Sequence, residues 1–229
     1  MLKHEKDITL LAIYVDDLIV ATNNKQKWEE LKLELSKSFE MKDLGQLNFC
    51  LGIEFKQDEK TKEITMSQRK YIQNILKKFN MEDCKPARTP FNTGIKLSKE
   101  MCATEEEKSE VEKIPYQNLV GSLMYLAVST RPDIAHIVSV LSQYNTNYGK
   151  EHWIAAKRVL RYLKGTPNIG LHYRRTNEQL TGYADADWGA NIDDRRSYTG
   201  YIFKLANAAI SWESRKQRTV AMSTTEAEY

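Results

Sequence analysis

Two short apolar runs, Ile8-Thr9-Leu10-Leu11-Ala12-Ile13 and Leu18-Ile19-Val20-Ala21, are separated by Tyr14-Val15-Asp16-Asp17 alone. Runs of this length and β-prone composition, joined by so short a link, predict a tight hairpin with acids at its tip. Adjacent carboxylates repel one another and serve no packing purpose, so a hard divalent cation such as magnesium is the partner they suit. Aspartate also favours turn backbone for its own sake, which leaves plain turn chemistry as the other explanation. The apolar strand on each side raises the case for the metal, because a rigid hairpin holds the acids in place as two-metal phosphoryl transfer requires.

The rest of the chain sets bounds on that reading. Its 229 residues are 41% hydrophobic and 10% aromatic, enough for a buried core in one large domain or two small ones. No apolar stretch approaches the roughly 18 to 20 residues that span a bilayer, and Met1 to Asp7 lacks the apolar centre of a signal peptide, so an intracellular address is expected. Cys50, Cys84 and Cys102 are too widely spaced for a Cys-x-x-Cys pair, and His4, His136, His152 and His172 show no ligand spacing. Surface or core roles suffice for all seven. The net charge of +3 is unevenly spread. Arg69, Lys70, Lys77, Lys78, Lys85 and Arg88 crowd residues 67 to 88, and Lys150, Lys157, Arg158, Arg161 and Lys164 crowd residues 150 to 164, with an acidic stretch from Glu100 to Glu112 between them. Two such faces could neutralise a nucleic-acid backbone. Charge alone fits solvated helix faces equally well.

Along the chain, Trp28, Leu31, Leu35 and Phe39 recur at helical spacing and predict an amphipathic helix over residues 25 to 39. Leu47 to Phe55 reads as extended, with Glu63 to Met66 pairing to it across a polar turn at 58 to 62. Tyr71, Ile72, Ile75, Leu76 and Phe79 predict a second helix, with Ser67 as its N-cap. Residues 84 to 115 read as an irregular connector. A helical block comes next, carried by Leu119, Val120, Leu123 and Met124, then Ile134, Ile137, Val138 and Leu141, then Trp153, Ile154, Ala156, Val159, Leu160 and Leu163. Pro132 suits a first turn, and Gly165 with Pro167 suits a stop. From Gly170 the texture turns to short strands at 180 to 186, 199 to 205 and 208 to 212, and a helix begins at the end. A boundary near residues 165 to 178 is the natural inference.

Several blocks carry a resemblance. Tyr14-Val15-Asp16-Asp17-Leu18-Ile19-Val20-Ala21 resembles the catalytic hairpin of reverse transcriptases. Phe39-Glu40-Met41-Lys42-Asp43-Leu44-Gly45, Gly121-Ser122-Leu123-Met124-Tyr125-Leu126, Thr130-Arg131-Pro132-Asp133-Ile134-Ala135 and the run from Trp153 to Thr166 resemble, in order, the segments downstream of that hairpin in copia-type retrotransposon Pol polyproteins. Gly182-Tyr183-Ala184-Asp185-Ala186-Asp187-Trp188, Asp194 to Tyr201, Ser211-Trp212 and Ser223-Thr224-Thr225-Glu226-Ala227-Glu228-Tyr229 resemble the opening of the same element's ribonuclease H.

The resemblance implies an α+β chain: a partial polymerase palm and start of the thumb over residues 1–83, the connector over 84–115, a helical thumb or connection over 116–168, and an incomplete ribonuclease H-like α/β domain over 169–229. It implies that Asp16 and Asp17 hold magnesium for polymerisation, and that Asp185 and Glu228 hold it for hybrid cleavage, with Asp187 a weaker candidate. Glu226 fits a capping box with Ser223 instead. The implied partner is primer-template nucleic acid or an RNA–DNA hybrid, met by Arg69, Lys70, Lys77, Lys78, Lys157, Arg158, Arg161 and Lys164. Only 13 residues precede Tyr14, and the chain stops within the first nuclease helix, so both carboxylate sets are expected to be incomplete and the chain alone inactive. A non-catalytic nucleic-acid-binding protein, or a decayed transposon relic, is the alternative.

Overall fold

In a computed structural model, which describes residues 2–4 and 7–229, the chain divides into two compact units, residues 1–48 and 49–229. Each has both helix and sheet, which makes the chain α+β. Side chains of residues 1–6 lie outside the described part, His4 among them.

The first unit is a meander of β1 (Leu2–His4), β2 (Asp7–Tyr14) and β3 (Asp17–Thr22), followed by α1 (Lys25–Ser38). The expected hairpin forms, with Leu11 opposite Val20 and Tyr14 opposite Asp17. Asn24 caps α1 by accepting from the Lys27 amide at 3.2 Å, and Lys27 pairs with Asp7 at 2.8 Å. The helix ends one residue before Phe39, whose ring is exposed. Only Thr9 is buried among the described residues of this unit. Ile13, Val15 and Leu44 are each more than three-quarters exposed, so the sheet has apolar surface with no cover within its own unit.

The second unit begins with β4 (Phe49–Cys50) and β5 (Ile53–Gln57). The sequence predicts one extended run here, but Leu51 and Gly52 both adopt positive φ and turn the chain back on itself. Gly52 takes φ +74° without a side-chain clash, and the Tyr125 hydroxyl donates to the Leu51 carbonyl. β6 (Ile64–Ser67) pairs with β5 as expected. Ser67 ends this strand and does not cap α2 (Arg69–Lys78). Gln68 occupies the cap position but its side chain caps no amide of the helix, and the Glu54 carboxylate on β5 accepts from the Lys70 amide at 3.0 Å. A helix terminus with no local cap is thus served from the neighbouring strand.

The connector is irregular apart from a 3-10 turn at Lys99–Met101 and α3 (Lys108–Val111). Then come α4 (Tyr116–Ser129), a 3-10 turn at Pro132–Ile134 that leads into α5 (Ala135–Ser142), and α6 (Lys150–Gly165). Ile72, Ile75, Leu76, Leu119, Leu123, Leu126, Ile137, Leu141, Val159, Leu160 and Leu163 form the core at the spacings the sequence predicts. The same spacing places Met124 and Ile154 on that face, yet both are exposed. On α6 the inward position is taken by His152, fully buried, whose Nδ1 accepts from the Gly149 amide at 3.0 Å and closes the helix start. Gly149 is required there because a Cβ would lie 1.9 Å from the Met101 carbonyl oxygen.

A strand the sequence does not announce, β7 (Leu171–Tyr173), joins β6 to complete the sheet β4-β5-β6-β7. It lies within the boundary region inferred from the sequence and ties that segment back to residues 64–66. A second sheet, ordered β10-β9-β8, comprises β8 (Thr181–Ala186), β9 (Tyr198–Leu205) and β10 (Ala208–Lys216), and α7 (Thr224–Glu228) ends the chain. Trp212 fastens this sheet to the helices by donating from Nε1 to the Ala127 carbonyl at 2.7 Å.

The helices meet at Arg131, whose side chain is fully buried. It makes a two-pronged ion pair with Asp133 at 2.7 and 2.9 Å and donates to the carbonyl and hydroxyl of Thr166. Arg131→Met is expected to destabilise the second unit by about 3 kcal/mol in urea unfolding, because it strands Asp133 and two oxygens of Thr166. Burial also pushes the imidazoles of His152 and His136 below their usual value of 6.5. The unfolded chain therefore takes up protons near pH 6.5 while the folded chain stays neutral, so stability is complete above that pH and falls as pH drops below it. His152→Gln, which keeps an acceptor for the Gly149 amide, is expected to flatten the loss of urea midpoint between about pH 7 and 5.

Candidate functional site

The expected site residues fall into three groups. Asp16 and Asp17 sit at the tip of the β2–β3 hairpin, Asp16 in the two-residue loop and Asp17 as the first residue of β3, both exposed. The residue before them is strained. Val15 has φ +51°, a left-handed conformation that a β-branched side chain rarely adopts and that glycine usually supplies in a two-residue hairpin loop. Its side chain is 81% exposed, so packing does not hold it there. The ladder on either side does, closing at the Tyr14–Asp17 pair. Strain of this kind is characteristic of sites where the backbone is held for function.

The second group lies on the β8–β10 sheet. Asp185 is the fifth residue of β8 and stands opposite Gly200, so no side chain crowds it from the neighbouring strand. Glu228 is brought to the same place from the far end of the sequence. Its Oε1 accepts from the amide of Ala186, the residue after Asp185, at 3.4 Å. The α7 turn that carries it is seated by the buried Ala227, whose carbonyl accepts from Gln217 Nε2 at 2.6 Å. Ser223 Oγ accepts from the Glu226 amide at 3.1 Å, and Glu226 Oε2 accepts from the Met222 amide at 2.7 Å. Glu226 is therefore committed to the helix start, one residue earlier than a standard capping box reaches.

Asp187 is committed as well. Its Oδ1 accepts from the amides of Ala190 and Tyr198 at 3.2 and 3.1 Å, which closes the loop between β8 and β9. Its spacing from Asp185 suggests a second ligand; the Asp-Trp-Gly sequence it opens is the signal for the turn role. A cleft of about 540 Å³ opens on the face of the sheet that carries Asp185. His136, Tyr198, Trp212 and Ser214 line it with Asp185 and Asp187. His136 Nδ1 lies 3.3 Å from Ser214 Oγ, and its ring meets Tyr198 edge-on. The sequence gives His136 no role here, since nothing in its spacing relates it to β8.

The third group is the basic set. Arg69, Lys70, Lys77 and Lys78 are exposed on α2, with Lys70 over the Phe49 ring and Lys78 over the Phe79 ring. Lys157 lies over Trp153, and Lys164 is half-buried. Arg158 and Arg161 are turned inward to the connector, donating to the Thr89 hydroxyl at 3.0 Å and the Lys85 carbonyl at 2.7 Å.

Magnesium accepts one or two carboxylates and completes its shell with water and substrate phosphates. Two hard oxygen donors at each site suit it in kind. Among the described residues no three His, Cys, Asp or Glu side chains converge on a common point.

Residues 2–93 match the family described as Reverse transcriptase (RNA-dependent DNA polymerase). The chain is 48% identical over 98% of its length to the retrovirus-related Pol polyprotein from transposon TNT 1-94 of Nicotiana tabacum, and 40% identical over all of it to that from transposon RE1 of Arabidopsis thaliana. The chain belongs to the copia-type retrotransposon Pol family. It spans 17% and 15% of the length of those two polyproteins. An uncharacterized mitochondrial protein of Arabidopsis thaliana is 34% identical to it and is covered over 88% of its own length. No solved structure matches the chain.

If Val15 is strained to aim the two aspartates, Val15→Gly is expected to stabilise the hairpin by about 0.5–1 kcal/mol, the relief of strain exceeding the entropy cost of glycine. Amide hydrogen exchange in β2 and β3 checks it, and should slow.

Proposed function

We propose that this chain carries the carboxylates with which a copia-type Pol polyprotein contributes to two magnesium sites. Asp16 and Asp17 belong to the site that polymerises DNA on an RNA template, and Asp185 and Glu228 to the one that cleaves RNA paired with DNA. The observation that supports this best is the Glu228 contact with the amide of Ala186, the residue after Asp185, which joins two residues 42 positions apart at the edge of a sheet. When bound, the metal pair would activate the attacking oxygen and stabilise the leaving one. The chain's own residues orient it: the strained hairpin presents Asp16 and Asp17, while the Ala186 amide and the α7 turn steady Glu228.

The same reading assigns residues 1–83 to a palm and the start of a thumb, 84–115 to a connector, 116–168 to a helical thumb or connection, and 169–229 to a ribonuclease H-like domain. Its partner is primer-template or an RNA–DNA hybrid, met first by the exposed Arg69, Lys70, Lys77 and Lys78 of α2 and by Lys157 and Lys164 of α6. Arg158 and Arg161 contribute positive potential while holding the connector.

With two carboxylates at each site, a polypeptide of these 229 residues is expected to extend primers and cleave hybrids negligibly, the remaining ligands coming from elsewhere in a polyprotein or from another chain. A second reading, a binding protein without catalysis, rests on the exposed Arg69, Lys70, Lys77 and Lys78 of α2, which need no metal to meet a polyanion. One set of assays separates the two. The polypeptide should bind an RNA–DNA hybrid with strong salt dependence, and changing Arg69, Lys70, Lys77 and Lys78 to glutamine should reduce the log–log salt slope by roughly 2–4. Supplying the missing polyprotein segments in trans should restore magnesium-dependent turnover that is lost on Asp16→Asn for extension and Asp185→Asn for cleavage. Binding without any such turnover would support the second reading. Binding indifferent to salt would sink both.

A further inference from the structure

We propose that Thr89, in the connector, is a phosphorylation site for a protein kinase that requires proline after the acceptor, and that Arg158 receives the phosphate. Thr89 is an exposed residue, and Pro90 is the next residue. Arg158 on α6 donates from a terminal nitrogen to Thr89 Oγ1 at 3.0 Å. The same guanidinium has its Nε buried without a hydrogen-bond partner. Among the described residues, neither Arg158 nor the exposed neighbour Arg88 pairs with a carboxylate. A buried guanidinium edge normally has an anion, and leaving such a donor unsatisfied is costly. Here the polar atom held against it is a hydroxyl that can itself be made anionic.

The surrounding backbone fixes this geometry. The Ala87 amide donates to the Arg161 carbonyl at 3.1 Å, and Arg161 Nε donates to the Lys85 carbonyl at 2.7 Å, so the segment before Thr89 is laid along α6. Beyond it, Thr89 Oγ1 donates to the Phe91 carbonyl at 2.9 Å. Phosphorylation would transfer the terminal phosphoryl group of ATP. The bond between Oγ1 and phosphorus forms, the bond from that phosphorus to the bridging oxygen breaks, ADP leaves, and the hydroxyl proton passes to the kinase's base. The bond to Phe91 is lost, and a dianion at the guanidinium replaces it with charge-assisted bonds. Its effect would be to staple the connector to α6. The Glu100–Glu112 stretch lies later in the same connector, and no residue of it is bound to Arg158.

The test uses the full chain, MgATP and a proline-directed kinase. Mass spectrometry should find phosphate on Thr89 and none there in Thr89→Val, a variant that keeps the side-chain volume. Phosphorus NMR of the modified chain should then give a second phosphate ionisation about one unit or more below the usual value of about 6, with the shift largely lost in Arg158→Gln. The modified chain should also melt several degrees higher than the unmodified one. Failure of the folded chain to be modified at Thr89 would overturn the proposal, as would a phosphate that titrates near 6 in the unaltered chain. That last measurement decides the matter even if Arg158→Gln does not fold. If inorganic phosphate alone raised the melting temperature of the unmodified chain equally, the site would be a general oxyanion site and the assignment to Thr89 would fall.

Discussion

The arrangement of the larger unit depends on the buried guanidinium of Arg131. An arginine removed from water must have its charge paired and its donors satisfied, and the cost is several kcal/mol if either fails. Asp133 supplies the pair from two residues away, and Thr166 accepts from the far end of α6. The Tyr162 ring lies 5.5 Å from the guanidinium and its hydroxyl donates to Asp133. These contacts fix the end of α4, the entry to α5 and the end of α6 as one corner. Pro132, between the two charged residues, makes the link between them stiff. Thr130, just before, donates to Gln68 at 2.7 Å and brings the start of α2 to the same place.

That corner in turn sets the position of Asp185. Trp212 anchors β10 to Ala127 on α4, and β10 carries β9 and β8 with it through antiparallel pairing, broken only by a register shift between Ala209 and Ser211. The carboxylate is thus set by a chain of backbone hydrogen bonds that begins at a helix. Asp16 and Asp17 are held differently. Their unit has almost no buried residue of its own, and the conformation at the tip is held by the hairpin ladder against the preference of Val15. The two carboxylate pairs resemble each other in sequence only as exposed acids beside strands; physically, one is placed by a ladder tethered to the helices through Trp212 and the other by a local turn.

This difference explains how much is legible in the sequence. The hairpin, the two amphipathic helices, the helical block and the three later strands can be read from apolar spacing, which matches burial in the helical block and predicts the elements of the first unit although almost none of their residues is buried. The turn at Leu51–Gly52 escapes that reading because a run of apolar residues hides it, although the glycine with φ +74° is its signal. β7 escapes it because three residues have no periodicity to detect. The Ser67 cap fails for a different reason. A cap from Glu54 is a tertiary contact, and no local pattern encodes it. The role of Glu226 is legible because its capping partner is three residues away. The nearness of Glu228 to β8 can be reached only through resemblance, since it depends on how the helix folds back across about 40 residues.

Charge is the least legible property, and the reason bears on what the basic faces can do. Counting lysines and arginines over residues 150 to 164 treats each as a free cation. Arg158 and Arg161 instead commit their planar, multi-donor groups to the connector, as arginine's fixed fork geometry allows and lysine's point charge does not. Lysines at 70, 78 and 157 lie against aromatic rings, an arrangement that leaves the ammonium group available to an anion while it shields apolar surface. The residues able to meet a phosphate backbone directly are therefore mainly lysines plus Arg69, and lysines neutralise charge without reading geometry. Under the proposed function, a surface of that kind would hold a polyanion regardless of its sequence.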